Sequence, residues 1–149
     1  MKAWREVFTL LSLSVIAAVG THFFHPRTPS WYLDSGPPAE DEVTISEVDK
    51  KWKGDVLWID ARSRALYEKQ HVPGAVLINE QERDQLLFEN IGLLQDNTKP
   101  IVVYCDSGAC QASRKIREHL KYNMAIDQIF VLHGGWDSLS GSRFLKAQK

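Results

Sequence analysis

The chain has 149 residues, 44% of them hydrophobic and 10% aromatic, with a formal net charge of −1. That length holds one domain of ordinary size and excludes two, and the apolar share supplies a core without metals or many cross-links. With Lys and Arg scattered among acids, no field exists to draw in nucleic acid or an acidic surface.

Lys2 and Arg5 precede a stretch, residues 7–24, that contains no Asp, Glu, Lys or Arg. Such a stretch reads as a membrane-directed segment; a buried helix of the globular part would have to cross the linker that follows. As a cleaved signal peptide it has a basic start, an apolar centre and small residues at Ala18 and Gly20. As a retained anchor it lies near the ~18-residue lower limit for spanning a bilayer, and Phe23 and Phe24, beyond the cleavage point, favour this version. In both versions the basic start stays inside, which puts the remainder outside the cytoplasm, periplasmic in a bacterium. Residues 25–42 hold four of the six prolines, Pro26, Pro29, Pro37 and Pro38, and end on Glu40, Asp41 and Glu42. Fixed φ and missing N–H donors make this an extended tether. The globular domain is expected over residues 43–149.

Thr44 and Ile45 suit a short strand, and Ser46 an N-cap for a helix through Val48 and Trp52 that Gly54 ends. Residues 56–59 are a compact apolar run of β-rich composition, fit for a central buried strand. Residues 63–70 read as helix and 75–78 as a short strand. Residues 82–94 read as a helix with an apolar stripe at Leu86, Leu87, Ile91 and Leu94, broken by Asn97, Thr98 and Pro100. Residues 101–104, Ile-Val-Val-Tyr, are the clearest strand and run directly into Cys105. Residues 112–123 form a helix with Ile116 and Leu120 on one face. Residues 129–132 are the last strand, followed by Gly134, Gly135 and a short helix from Trp136. Strands alternating with helices predict an α/β fold: a mainly parallel five-stranded sheet with helices on both faces, three layers in all. In such sheets function gathers at the carboxyl ends of strands, where Cys105 stands.

The segment from Tyr104 to Ser113 is the informative one. Its two cysteines, Cys105 and Cys110, are the only ones in the chain, too few for a structural zinc site or a disulfide-dense scaffold. A bond between them would close a loop too small to add much stability. Position alone fits an inert core cysteine at 105. The loop composition reverses that: small side chains and Gly108 let backbone N–H groups turn toward the sulfur. Such a nest, with a helix N-terminus behind it, favours thiolate over thiol.

Three motifs share an order and spacing. Asp60-Ala61-Arg62 leads to Tyr67 and then His71-Val72-Pro73-Gly74-Ala75. Val102-Val103-Tyr104-Cys105 comes with Gly108, and His133-Gly134-Gly135-Trp136 closes the set. Together they resemble the rhodanese-like family of sulfurtransferases over residues 43–136. The resemblance implies that Cys105 is the catalytic cysteine. It would take sulfane sulfur from a small sulfur-containing donor as a persulfide and pass it to a thiophilic or thiol acceptor. It further implies that the amides of Asp106, Ser107, Gly108, Ala109, Cys110 and Gln111 cradle the persulfide. Asp60, Arg62, His71 and Gly74 fall on supporting framework positions, and no metal or organic cofactor is implied.

The chain departs from the family pattern at several points. Gln70 stands where Gly is usual, and Asp137-Ser138-Leu139 follows Trp136 in place of a second aromatic. Asp106 directly follows the cysteine, and no basic residue precedes Arg114, which disfavours thiosulfate as donor. Cys110 keeps two readings, a small residue packing at the helix start or a resolving thiol that forms a disulfide with Cys105. A redox or sensing module, and a non-catalytic binding module on the same fold, therefore stand beside the enzyme. Phosphatase or arsenate-reductase chemistry is disfavoured, since Gln111 occupies the position of the needed Arg.

Overall fold

The computed structural model describes Trp4, residues 36–106 and residues 111–146. The chain divides into two units between Asp34 and Ser35, and every element below belongs to the second. The expected membrane-directed segment, residues 7–24, lies outside the described residues. Among the described residues no helix is long and apolar enough to cross a membrane.

The fold begins with β1 (Glu42–Val43), whose two residues pair in parallel with the last strand. Thr44 then caps helix α1 (Ile45–Trp52) in a reciprocal box. Glu47 N–H donates to the Thr44 hydroxyl at 3.3 Å, and the Glu47 carboxylate accepts from Thr44 N–H at 2.9 Å. The sequence pattern placed the cap at Ser46 instead. The structure starts the helix two residues earlier because Thr44 satisfies two orphan amide donors with one partner. Strand β1 is displaced with it, from the expected Thr44 and Ile45 to Glu42 and Val43.

Strand β2 (Leu57–Asp60), helix α2 (Arg64–Lys69), strand β3 (Val76–Leu77) and helix α3 (Arg83–Asp96) follow. Strand β4 (Ile101–Tyr104), helix α4 (Gln111–Met124), strand β5 (Ile129–Leu132) and helices α5 (Gly135–Leu139) and α6 (Arg143–Lys146) complete the domain. The last helix is one turn that the sequence pattern does not signal.

All five strands run parallel in the order β1-β5-β4-β2-β3. Their alternation builds two separate cores. On one face Ile59, Ile101, Val103 and Cys105 pack with Leu94 of α3 and Ile116 and Leu120 of α4. On the other, Trp58, Val102 and Tyr104 pack with Val48 of α1 and Leu139 of α5. Helices thus cover both faces, which is why β2 up to Ile59, β4 and β5 carry aliphatic and aromatic residues on both faces rather than alternating with polar ones. Each aliphatic side chain sealed in this way contributes about 1.5–3 kcal/mol. The longer strands lie inside, and their carboxyl ends bring Asp60, Tyr104 and Leu132 to one edge of the domain.

Candidate active site

Cys105 is the first residue past β4, and its side chain keeps the pleat of the strand. It therefore points with Ile101 and Val103 into the face covered by α3 and α4, and it is 2% exposed. The sequence placed this thiol at the carboxyl end of the strand; there the pleat turns its side chain inward. Ser113, the third residue of α4, donates its hydroxyl to Sγ of Cys105 at 3.5 Å. Ser113, Ile116 and Leu120 occupy one helical stripe, all buried, so the serine is the polar member of an apolar row. On the backbone side, Trp136 N–H donates to the Cys105 carbonyl at 2.7 Å. That N–H belongs to the first turn of α5, where helical donors have no partner inside the helix.

Of the six residues expected to cradle a persulfide, Asp106 and Gln111 are described, and both are exposed. Ser107, Gly108, Ala109 and Cys110 lie outside the described residues.

The framework residues converge. Asp60, at the end of β2, stands in register with Tyr104 and is completely buried. Its Oδ1 accepts from the backbone N–H of Arg62 at 2.9 Å and from Arg62 Nε at 3.0 Å, and its Oδ2 accepts from Nη2 at 2.8 Å. The guanidinium also donates from Nη2 to the Gln70 carbonyl at 2.6 Å and lies 3.8 Å above the Trp136 ring. Burial works against its charge, but the hydrogen bonds and charge of Asp60, with Tyr104 and Asp106 adding, raise the Arg62 pKa further above its ordinary value. Arg62 thus joins the β2 end to the Gly134-Gly135-Trp136 turn that holds the Cys105 backbone. That turn needs its glycines: Gly134 has φ 77° and Gly135 φ 55°, and a Cβ on Gly134 would come 3.1 Å from Ser138 Cβ.

Tyr104 is fully buried beneath this group. Its hydroxyl accepts from Val72 N–H at 3.2 Å, and burial with the Asp60 charge drives its pKa far upward, so the phenol stays neutral. His71 uses Nδ1 on the Tyr67 carbonyl at 2.8 Å and stacks on the Tyr67 ring at 4.0 Å. Tyr67 in turn donates its hydroxyl to the Ala75 carbonyl at 2.7 Å. His71 and Gly74 therefore belong to the turn that leads into β3.

Beside α4 lies a charged cluster. Arg114 pairs with Glu42 and, at 3.6 Å, with Asp41; Arg117 pairs with Asp41 at 3.2 Å; His133 Nδ1 meets Glu42 at 2.8 Å. Sequence reading missed Ser113, Trp136 as a partner of Cys105, and Glu42 as a buried residue. Ser113 was legible from its spacing to Ile116 and Leu120; Glu42 owes its burial to partners 72 and 91 residues away. Among the described residues no group of three or more His, Cys, Asp or Glu side chains is arranged to hold a metal ion.

A parallel α/β sheet with a cysteine just past its central strand, a serine-bearing helix behind it and a Gly-Gly-Trp turn bonded to its carbonyl defines the class. The chain belongs to the rhodanese-like domain family, whose match spans residues 44–142. No curated protein matches the sequence. Several solved structures share the fold. A rhodanese-related protein from Thermoplasma volcanium is 18% identical over 68% of this chain and 92% of that chain, with a TM-score of 0.50. A full-length protein from Lactobacillus plantarum is 21% identical over 77% and 88%, with a TM-score of 0.52. A Bacillus halodurans protein is 22% identical over 67% and 71%, with a TM-score of 0.51.

Proposed function

We propose that this rhodanese-like domain is a sulfurtransferase that carries sulfane sulfur on Cys105. The supporting observation is the hydroxyl of Ser113 donating to Sγ at the first turn of α4. A hydrogen bond to sulfur and the positive end of a helix both favour the anionic nucleophile. In the first half-reaction the Cys105 thiolate attacks the outer sulfur of the donor. The Sγ–S bond forms, the donor S–S bond breaks, and its electron pair leaves with the remainder of the donor. In the second, a thiol or other thiophilic acceptor attacks the terminal sulfur and returns Cys105 to thiolate. The resemblance assigns the persulfide to the amides of residues 106–111, of which 107–110 lie outside the described residues, and Asp60, Arg62 and His71 to the surrounding framework. Because Cys105 is 2% exposed, neighbouring atoms must give way for a donor to reach it. Mass spectrometry after treatment with a panel of sulfane-sulfur donors should find one added sulfur on Cys105. Its absence with every donor sinks the proposal.

The burial of Sγ favours a second reading, a non-catalytic binding module. In that case Cys105 alkylates no faster than a free thiol, and Cys105→Ser leaves the biological function intact. For location, the sequence supports a domain held outside the cytoplasm through residues 7–24. A membrane-impermeant thiol or amine reagent labelling the domain in intact cells tests this, and protection of the domain refutes it.

A further inference from the structure

Resting on the reading that the Cys105 thiolate is the working nucleophile, we infer that Glu42 is a positioning residue for it. From the edge strand β1, its carboxylate anchors α4 through Arg114 and so keeps the Ser113 hydroxyl on Sγ. The Glu42 side chain is 5% exposed. Its Oε1 accepts from Nη2 of Arg114, while Oε2 accepts from the Ala39 N–H at 3.2 Å and lies 2.8 Å from His133 Nδ1. A carboxylate withdrawn from water depends on such partners, and they fix where it stands.

The backbone that carries it is fixed as well. Val131 N–H donates to the Asp41 carbonyl and His133 N–H to the Val43 carbonyl, each at 2.9 Å, so β5 grips β1 on either side of Glu42. Arg114 directly follows Ser113 near the start of α4. The ion pair therefore holds the helix one residue from the hydroxyl that meets the sulfur. Asp41 adds a second hold, at 3.6 Å from Arg114 and 3.2 Å from Arg117. The 3.5 Å between the Ser113 hydroxyl and Sγ leaves little slack, and a helix displaced by about 1 Å loses that bond.

His133 brings in the other side of the nucleophile. It opens the turn whose Trp136 N–H donates to the Cys105 carbonyl. One buried carboxylate thus binds both segments that touch Cys105, the helix at its sulfur and the turn at its backbone. The expected effect has a sign opposite to plain electrostatics. By charge alone, deleting the Glu42 anion favours the Cys105 thiolate; by position, it frees Ser113 and favours the thiol.

The test titrates Cys105 in the full chain by ultraviolet thiolate absorbance, with Cys110→Ser throughout and the Cys105→Ser trace subtracted. Glu42→Ala should raise the midpoint by about 0.5–1 pH unit, a roughly three- to tenfold loss of thiolate at neutral pH. Glu42→Gln fills the same space and keeps one acceptor, so its rise should be smaller; it carries the test where the alanine variant does not fold. In a Ser113→Ala background Glu42→Ala should add nothing. An unchanged or lowered midpoint in either folded Glu42 variant, or a further rise in the Ser113→Ala background, overturns the inference. The titration uses no sulfur donor, so its failure leaves sulfur transfer standing. Failure of every donor to load Cys105, with these shifts intact, removes the transfer chemistry alone.

Discussion

Replacing Asp60 by Ala tests the framework most sharply. The change removes the carboxylate that takes Nε and Nη2 of Arg62, and leaves the guanidinium, whose side chain is 3% exposed, with the Gln70 carbonyl and the Trp136 ring. Breaking a buried pair by deleting one member costs about 3–5 kcal/mol, because the surviving charge keeps its desolvation penalty and loses its compensation. In a domain of this size that lowers Tm by roughly 15–25 °C. Thermal and urea unfolding followed by circular dichroism read the loss directly. The double change Asp60→Leu with Arg62→Met removes both charges and should recover a large part of it, so the two single effects do not add. A single-mutant cost under about 1 kcal/mol, or strict additivity in the double-mutant cycle, would refute the claim that this pair ties the β2 end to the Trp136 turn.

Ser113→Ala deletes the donor to Sγ, and alkylation of Cys105 at pH 7 should slow about three- to tenfold with little change in Tm; an unchanged rate removes Ser113 from the site. Gly134→Ala forces a residue with a Cβ into φ 77° against Ser138 and should cost about 1–2 kcal/mol; a neutral result in the same unfolding assay contradicts the geometry. The Glu47 carboxyl is held below its usual 4.5, first by the Thr44 backbone N–H and then by Lys51 and the Thr44 hydroxyl. A depressed folded-state value stabilises the cap above pH 4.5 and loses that contribution as pH falls through the lower value. The Thr44 amide signal in an NMR titration should therefore move with a midpoint below 4.5, and a midpoint at or above it would contradict the capping box.

The strands were legible because their signal is compositional. Residues 101–104 and 129–132 are short apolar runs with no room for a helical period, and the structure places β4 and β5 on those residues. The first helix was less so, since Thr44 with Glu47 and Ser46 with Asp49 both offer a small hydroxyl three residues before an acid. Only the longer Glu reaches back to its cap. Glu42 was read as the acidic end of a linker, and no local pattern could have said otherwise. Arg114 and His133, contributed by α4 and the end of β5, make it a buried strand residue. Cys105 followed the same logic in reverse: its loop composition suggested presentation, while the pleat inherited from β4 turned it inward.

Both edges of the sheet are two-residue strands, Glu42–Val43 and Val76–Leu77, while the four-residue strands are enclosed between them. A foreign strand arriving at either rim finds only a residue or two to pair with. Templated growth from one copy to the next is therefore starved of contacts at its first step.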